Sequence, residues 1–166
     1  ALTALRTGKQ VAIGFNAAQS NQIVDMRQCP LLLPELFALI APLRDLLPTI
    51  AQQKRPVKVK LQMLDQGVEV ILEGVKAEGL DAAMALQDFA GTHKLARFAV
   101  DQGHGLETLW QPEPPTVCFG DVMVEVPAFS FLQPTTSGQA ALVEAVAKAI
   151  GDAAVVADLF AGVGTF

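Results

Sequence analysis

The residues best placed to do chemistry lie in one run, Asp158-Leu-Phe-Ala-Gly162-Val-Gly164-Thr165-Phe166, where an apolar stretch gives way to glycines. Glycines at such a junction let the backbone approach a ligand closely, at the carboxyl edge of a parallel sheet where nucleotide-like ligands bind. A dinucleotide fingerprint would place its third glycine three residues after Gly164, past Phe166, and the Gly-Lys-Ser/Thr of a P-loop does not occur. The glycine pair alone therefore does not choose a ligand. Asp158 either positions the loop or a cofactor group at the strand end, or helps to cap the next helix. Cys118, flanked by Val117 and Phe119 in a strand pattern, reads as structural. His93 and His104 lack a His or Cys partner at ligand spacing and read as exposed polar residues. Trp110, with no aromatic or basic neighbours, reads as packing rather than as a base-stacking platform.

The elements that must hold these residues follow from local patterns. Val11 to Phe15 and Ile23 to Met26 form two short strands around the turn-like run from Asn16 to Asn21, hence a hairpin. Pro30 and Pro34 precede a helical apolar pattern that Pro42 kinks or splits. Val57, Val59, Leu61 and Met63 alternate with Lys58, Lys60 and Gln62 in a half-buried strand, and Asp65-Gln66-Gly67 turns it into a second strand from Val68 to Glu73. Asp81 to Ala90 has helical composition, Leu95 to Val100 and the surroundings of Leu109 read as strands, and Val117 to Phe119 pairs with Val122 to Val126 across Gly120-Asp121. Further on, Ser137 caps a helix whose apolar residues recur every three or four positions from Ala141 to Ile150, and Gly151 ends it. Ala153 to Phe160 reads as a near-continuous apolar strand of the kind covered on both faces in a parallel sheet.

A chain of 166 residues, 51% of them hydrophobic, can build a real core. Its net charge of -5 argues against a free-standing nucleic-acid-binding module, because neutralising phosphates takes clustered Lys and Arg. The one basic stretch, Lys54, Arg55, Lys58 and Lys60, reads as the solvated face of a strand. Two distant cysteines and no signal peptide point to a reducing, cytoplasmic setting without a disulfide framework. The Leu-rich stretch from Leu31 to Ile50 is excluded as a membrane span by Pro34, Glu35, Pro42, Arg44, Asp45 and Pro48. An opening without Met and a stop on Gly-Thr-Phe suggest a cut piece.

Two segments carry a family resemblance. Phe129-Ser-Phe131-Leu-Gln133, a helix, and then Asp158 to Phe166 together resemble the entry to the catalytic domain of bacterial uracil-5 RNA methyltransferases, which show a Phe-x-Gln segment, a helix and an Asp-Leu-Tyr/Phe-Cys-Gly-x-Gly-Asn/Thr-Phe loop. Upstream, Ile23-Val-Asp25-Met-Arg-Gln-Cys29-Pro30-Leu31 is similar to the family's Ile-Val-Asp-x-x-x-Cys-Pro-Val/Leu segment. The resemblance implies a class I enzyme using S-adenosylmethionine. Gln133 would hydrogen-bond the cofactor, Phe160 and Thr165 would line its pocket with Asp158 at the loop's start, and Gly162 and Gly164 would shape the loop. It also implies that Cys29 is the last of four ligands of an iron–sulfur cluster, a [4Fe-4S] cluster in the full-length parent. Thr165 stands where many relatives have Asn, Ala161 replaces the usual Cys, and Thr136 or Ser137 replaces an Asn.

The expected fold is an α+β central domain with a mainly antiparallel sheet at 1–127, followed at 128–166 by the truncated beginning of an α/β Rossmann-like methyltransferase domain. The expected parent methylates C5 of a uridine, in 23S rRNA rather than tRNA, since the cluster belongs mainly to the ribosomal branch. The nucleophilic cysteine and the carboxylate base of that chemistry lie beyond the loop in the family pattern, so the fragment itself should be inactive and bind RNA weakly or not at all. The alternatives are a non-catalytic substrate-positioning module and a different Rossmann enzyme using a dinucleotide. The strand at Ala153 to Phe160, lacking parallel neighbours, is expected to dock on another chain or to be poorly ordered.

Overall fold

Period-two alternation is the rule that organises the first half of this chain. In the computed structural model, which describes residues 1–128, 130–133 and 135–165, the pattern from Val57 becomes strand β4 (Pro56–Leu64) and its continuation β5 (Gly67–Glu73), joined by the two-residue turn Asp65-Gln66. Together with β1 (Leu2–Thr7), β2 (Gln10–Asn16), β3 (Ile23–Asp25), β6 (Arg97–Asp101) and β7 (Leu106–Trp110) they make a seven-stranded sheet in the order β3-β2-β1-β4-β5-β6-β7. Every pairing in it is antiparallel except β5–β6, whose strands are joined through helix α3 (Leu80–Thr92). The chain divides by its contacts into two compact units, residues 1–113 and 114–166, and this sheet belongs wholly to the first.

Register decides which residues face the helices. Ala4 opposes Ile13 on one side and Val57 on the other, and Val59 opposes Leu72, so these apolar positions share one sheet face. They form one buried core with Leu36 of α1 (Pro34–Ala38), Ile40, Leu43 and Leu47 of α2 (Ile40–Ile50), and Leu86, Phe89 and Ala90 of α3. A core of this size supplies the main stabilisation, at about 25 cal/mol per Å² of apolar surface removed from water.

The helical region divides at Leu39. Pro42 sits in the first turn of α2 and has no N–H to donate to the carbonyl of Ala38, the last residue of α1, so the missing bond falls at the break and splits the helical region as its proline led one to expect. Strand β1 was not foreshadowed locally. Its pattern is plain only beside β2 and β4.

The second face of β5 is the larger surprise. Glu69 and Ile71, which alternate with Val68, Val70 and Leu72 along the strand, are buried along with them. Glu69 opposes Arg97 in the parallel register, and the Arg97 guanidinium donates to its carboxylate at 2.6 Å, both residues lying almost wholly out of solvent. Gln62 donates an amide hydrogen bond to the other Glu69 oxygen, and Arg97 Nε donates to Gln111 at 2.9 Å. Burial pushes the Glu69 carboxyl above its ordinary range, against the opposing pull of the Arg97 charge and the hydrogen bonds from Arg97 and Gln62.

The second unit holds a hairpin of β8 (Thr116–Phe119) and β9 (Val122–Glu125), as its alternation foretold, and α4 (Thr136–Ile150). Thr135, not Ser137, caps α4: its hydroxyl accepts the Gly138 N–H at 3.1 Å. Gly151 closes the helix with φ 55°. The strand expected from Ala153 to Phe160 does not form among the described residues. A parallel strand exists only by exchanging hydrogen bonds with its neighbours, and no strand of the described residues pairs with this stretch, which leaves Val155, Leu159 and Phe160 exposed. The mainly antiparallel α+β architecture thus stands, whereas the expected parallel domain does not show itself among the described residues, which hold α4 but no parallel strand after it. Phe129 and Phe166, which complete the two motifs, lie outside the described residues.

Breaking the buried pair should cost far more than replacing it. Arg97→Met, leaving Glu69 buried without a countercharge, is expected to lower unfolding stability by about 3 kcal/mol or more, whereas Glu69→Leu combined with Arg97→Met should recover most of that loss. Urea unfolding midpoints of the three proteins measure it. An equal loss in the double and single variants would show that packing, not charge pairing, dominates there.

Candidate cofactor loop and the cysteine segment

The glycine loop has the local backbone that its sequence demands. Gly162 and Gly164 take φ 62° and 75°, left-handed values that a Cβ would strain, and the Gly164 N–H closes a turn onto the Ala161 carbonyl at 2.9 Å. Phe160 also has positive φ, 68°, and stands fully in solvent. A shallow cleft of about 450 Å³ is lined by Val124, Glu125, Pro127, Ser130, Phe131, Gly162 and Val163. Of the expected cofactor residues it gathers Gly162 alone. Gln133 is half-buried in the segment before α4, Asp158 and Gly164 are exposed, and Thr165 is half-buried at the loop's end. The left-handed turns at the two glycines are present, but the side chains expected to line a pocket are not assembled around one.

Cys29 lies in the first unit, half-buried against the main core after β3. The segment leading to it is fixed by Asp25, whose carboxylate accepts the Ile13 N–H at 3.1 Å and the Arg44 guanidinium at 2.7 Å, with Arg27 on its other oxygen at 2.8 Å. Arg44 also donates to the Met26 carbonyl at 2.6 Å, so α2 clamps the start of the loop that carries the cysteine. Close approach helps: a Cβ on Gly14 would lie 1.8 Å from the Val24 carbonyl oxygen, so only glycine lets β2 pass β3 here. Among the described residues no three His, Cys, Asp or Glu side chains form a metal-binding group. A four-thiolate cluster therefore does not fit these residues alone, and Cys29 could contribute one ligand at most.

Cys118 is an exposed residue of β8, His104 is exposed, and Trp110 packs on the core with its indole N–H donated to the Leu95 carbonyl at 2.9 Å. His93, expected in solvent, instead is half-buried at the end of α3 with its ring 4.6 Å from that of Phe89. The basic stretch is divided by the register. Lys58 and Lys60 reach Glu73 at 3.8 and 2.8 Å across β4–β5, while Lys54 and Arg55 have no carboxylate partner among the described residues. The Asp25–Arg44 and Glu69–Arg97 pairs escaped the sequence reading because each joins two elements distant along the chain. The charged residue inside an apolar strand, Glu69, was the available signal.

Fold and loop together define an α+β unit followed by a capped helix and the turn of a ligand-type loop. Comparison with known proteins makes the class specific. The whole chain is 41% identical to an uncharacterized RNA methyltransferase of Zymomonas mobilis, covering 42% of that protein, and 31% identical to one of Rhizobium meliloti, covering 39% of it. Over 163 residues it is 30% identical to a 23S rRNA (uracil(1939)-C(5))-methyltransferase of Shewanella piezotolerans, covering 37% of that enzyme. No family model matches the chain. The chain belongs to the family of RNA methyltransferases that these relatives represent, one of them named for uracil-C5 methylation, and it spans about two fifths of the length of the curated relatives it matches.

The Asp25 cluster has a pH signature. Burial raises the Asp25 carboxyl, but the hydrogen bonds from Arg44 and Ile13 and the charges of Arg44 and Arg27 outweigh it, so the net pKa is lowered. A lowered folded pKa stabilises the fold above the ordinary carboxylate value, and that contribution is lost as pH falls through the depressed one. Asp25→Asn should therefore lose stability at neutral pH and show a shallower decline toward about pH 3 than the parent, in urea titrations at each pH. Parallel acid limbs for the two proteins would remove Asp25 from the account.

Proposed function

We propose that this chain is the central domain, residues 1–127, and the beginning of the catalytic domain, residues 128–166, of an enzyme that methylates C5 of a uridine in 23S rRNA with S-adenosylmethionine as donor. The observation that carries this reading is the colinear match along the chain to a relative named for uracil-C5 methylation of 23S rRNA, joined to a loop whose two glycines already hold left-handed turns. When bound, S-adenosylmethionine supplies an electrophilic methyl group. On this reading Gln133 hydrogen-bonds the donor, Gly162 and Gly164 let the backbone lie beneath it, and Phe160 and Thr165 turn inward to line its pocket. Asp158 anchors the start of the loop.

The exposure of Phe160 and Asp158 supports a site that is finished by further strands and loops of the parent, since a pocket at a sheet's carboxyl edge is lined from several of them. The cysteine that adds to C6 of the uracil, and the base that takes the C5 proton, lie outside residues 1–166 on this reading. The reaction then runs in the parent and not in this fragment. Cys29 is proposed as one ligand of a cluster completed by thiolates from elsewhere in that parent, and its cytoplasmic, reducing setting follows from the same chemistry. Among the described residues no helix is long and apolar enough to cross a membrane.

Calorimetric titration with S-adenosylhomocysteine tests the assignment, using this chain and the same chain continued through the whole catalytic domain. Binding by the longer protein alone is expected, weakened roughly tenfold by Gly164→Val through the strained φ. No binding by either protein would overturn the assignment.

A further inference from the structure

The sheet face opposite the helices carries a cleft of its own. Thr3 opposes Lys58, Leu5 opposes Pro56, Lys58 opposes Glu73 and Ile23 opposes Asn16, so these residues share the face that the buried core leaves open. With Asn21 and Gly74 they line a cavity of about 660 Å³. Its floor is apolar, from Leu5, Ile23 and Pro56. Its walls carry the amides of Asn16 and Asn21 and the hydroxyl of Thr3, groups that both donate and accept hydrogen bonds.

A second hollow adjoins it, sharing Pro56 and Gly74 and adding Arg55 and Lys76. Lys54, beside Arg55, is bonded through its N–H to the Arg6 carbonyl, and Gln53 holds both the N–H and the carbonyl of Gly8, next in the chain to Lys9. Lys9, Lys54 and Arg55 have no carboxylate partner among the described residues, and Lys76 has only a loose one, Glu78 at 3.8 Å. The nearby acids are occupied: Glu73 by Lys58 and Lys60, and Asp101 by the N–H groups of Gly103 and Gly105. In a chain of net charge -5, this is a local concentration of unmatched cations beside an amide-walled, apolar-floored cleft.

We propose that this face binds an unpaired nucleotide of single-stranded RNA, its base in the cleft against Asn16 and Asn21 and its phosphate on Lys54 and Arg55. An apolar floor with amide groups at its edges offers an unpaired base van der Waals contact and hydrogen-bond partners for its edges, and a duplex would keep those edges hidden. The inference rests on the reading of the parent as an RNA enzyme and names where, in the first unit, its substrate is held.

Fluorescence anisotropy of a labelled single-stranded RNA of about ten nucleotides, at low salt, tests it on this chain and on the chain extended through the catalytic domain. Two variants, Lys54→Ala/Arg55→Ala and Asn16→Ala/Asn21→Ala, alter exposed residues, and their unfolding midpoints check that they fold. The first is expected to weaken binding about tenfold and to reduce the slope of log affinity against log salt by about one. The second is expected to weaken binding several-fold with the slope unchanged, because it removes base contacts and no charge. The proposal is overturned if the RNA does not bind, if both variants bind like the parent, if a duplex of the same sequence binds as tightly, or if inorganic phosphate displaces the RNA as an adventitious anion site would allow. An extended chain that binds S-adenosylhomocysteine while its RNA affinity ignores both variants rejects the cleft and keeps the methyltransferase reading. One that loses RNA affinity in both variants yet binds no S-adenosylhomocysteine does the reverse.

Discussion

The Glu69–Arg97 pair sits where the sheet changes direction, and the arrangement of the first unit depends on it. β5 and β6 are the parallel neighbours, and parallel strands cannot be set in register by a tight turn. Their connection runs through α3, which leaves the register to side chains. A slip of one residue would turn Phe98 and Val100 away from the helices and separate Arg97 from Glu69, leaving two buried charges unsatisfied. Gln62 from β4 and Gln111 beyond β7 grip the same pair, so four successive segments are tied at one level. The pair is not the source of stability, since the apolar core supplies that. Its contribution is to make one alignment far better than the next.

What could be read from the sequence divides along the same line between local and distant determinants. The β4–β5 and β8–β9 hairpins, α3 and α4 were legible because their alternation, turn residues and helical spacing lie within a single window. The start of α4 was misplaced by two residues, since Thr135, Thr136 and Ser137 are chemically equivalent caps and only backbone geometry selects among them. β1 was missed because Leu2 and Ala4 gain meaning only when Val57 and Val59 arrive beside them, over fifty residues later. The segment from Ala153 to Phe160 failed for the opposite reason: its composition suits a covered parallel strand, but no partner strand exists among the described residues. Composition sets what a segment could become, and pairing decides whether it does.

The candidate loop shows that division at the scale of chemistry. Left-handed φ at Gly162 and Gly164 is a local property, and it is present before any pocket is. A pocket is non-local, because it needs side chains from several elements around one volume, and Gln133, Asp158, Phe160 and Thr165 line no common cleft among the described residues. In the described structure the two glycines carry conformation alone, and the other four residues are not gathered around a common volume.

Asp25 shows that the segment before Cys29 is held by contacts of its own, whatever the cysteine binds. Ile23, Val24 and Asp25 resemble a cluster-bearing segment, but Asp25 itself spends its carboxylate on Ile13, Arg27 and Arg44. The acid orders the backbone four residues before Cys29 and ties it to α2, and Ile23, two residues earlier on the same side of the strand, lies beside Asn16 at the open cleft. One short strand thus lines the cleft with one residue and is tied to α2 by the next residue on the same side. That economy explains why β3 can be only three residues long: antiparallel pairing to β2, one ion-pair anchor and the close pass at Gly14 fix it without a core face of its own.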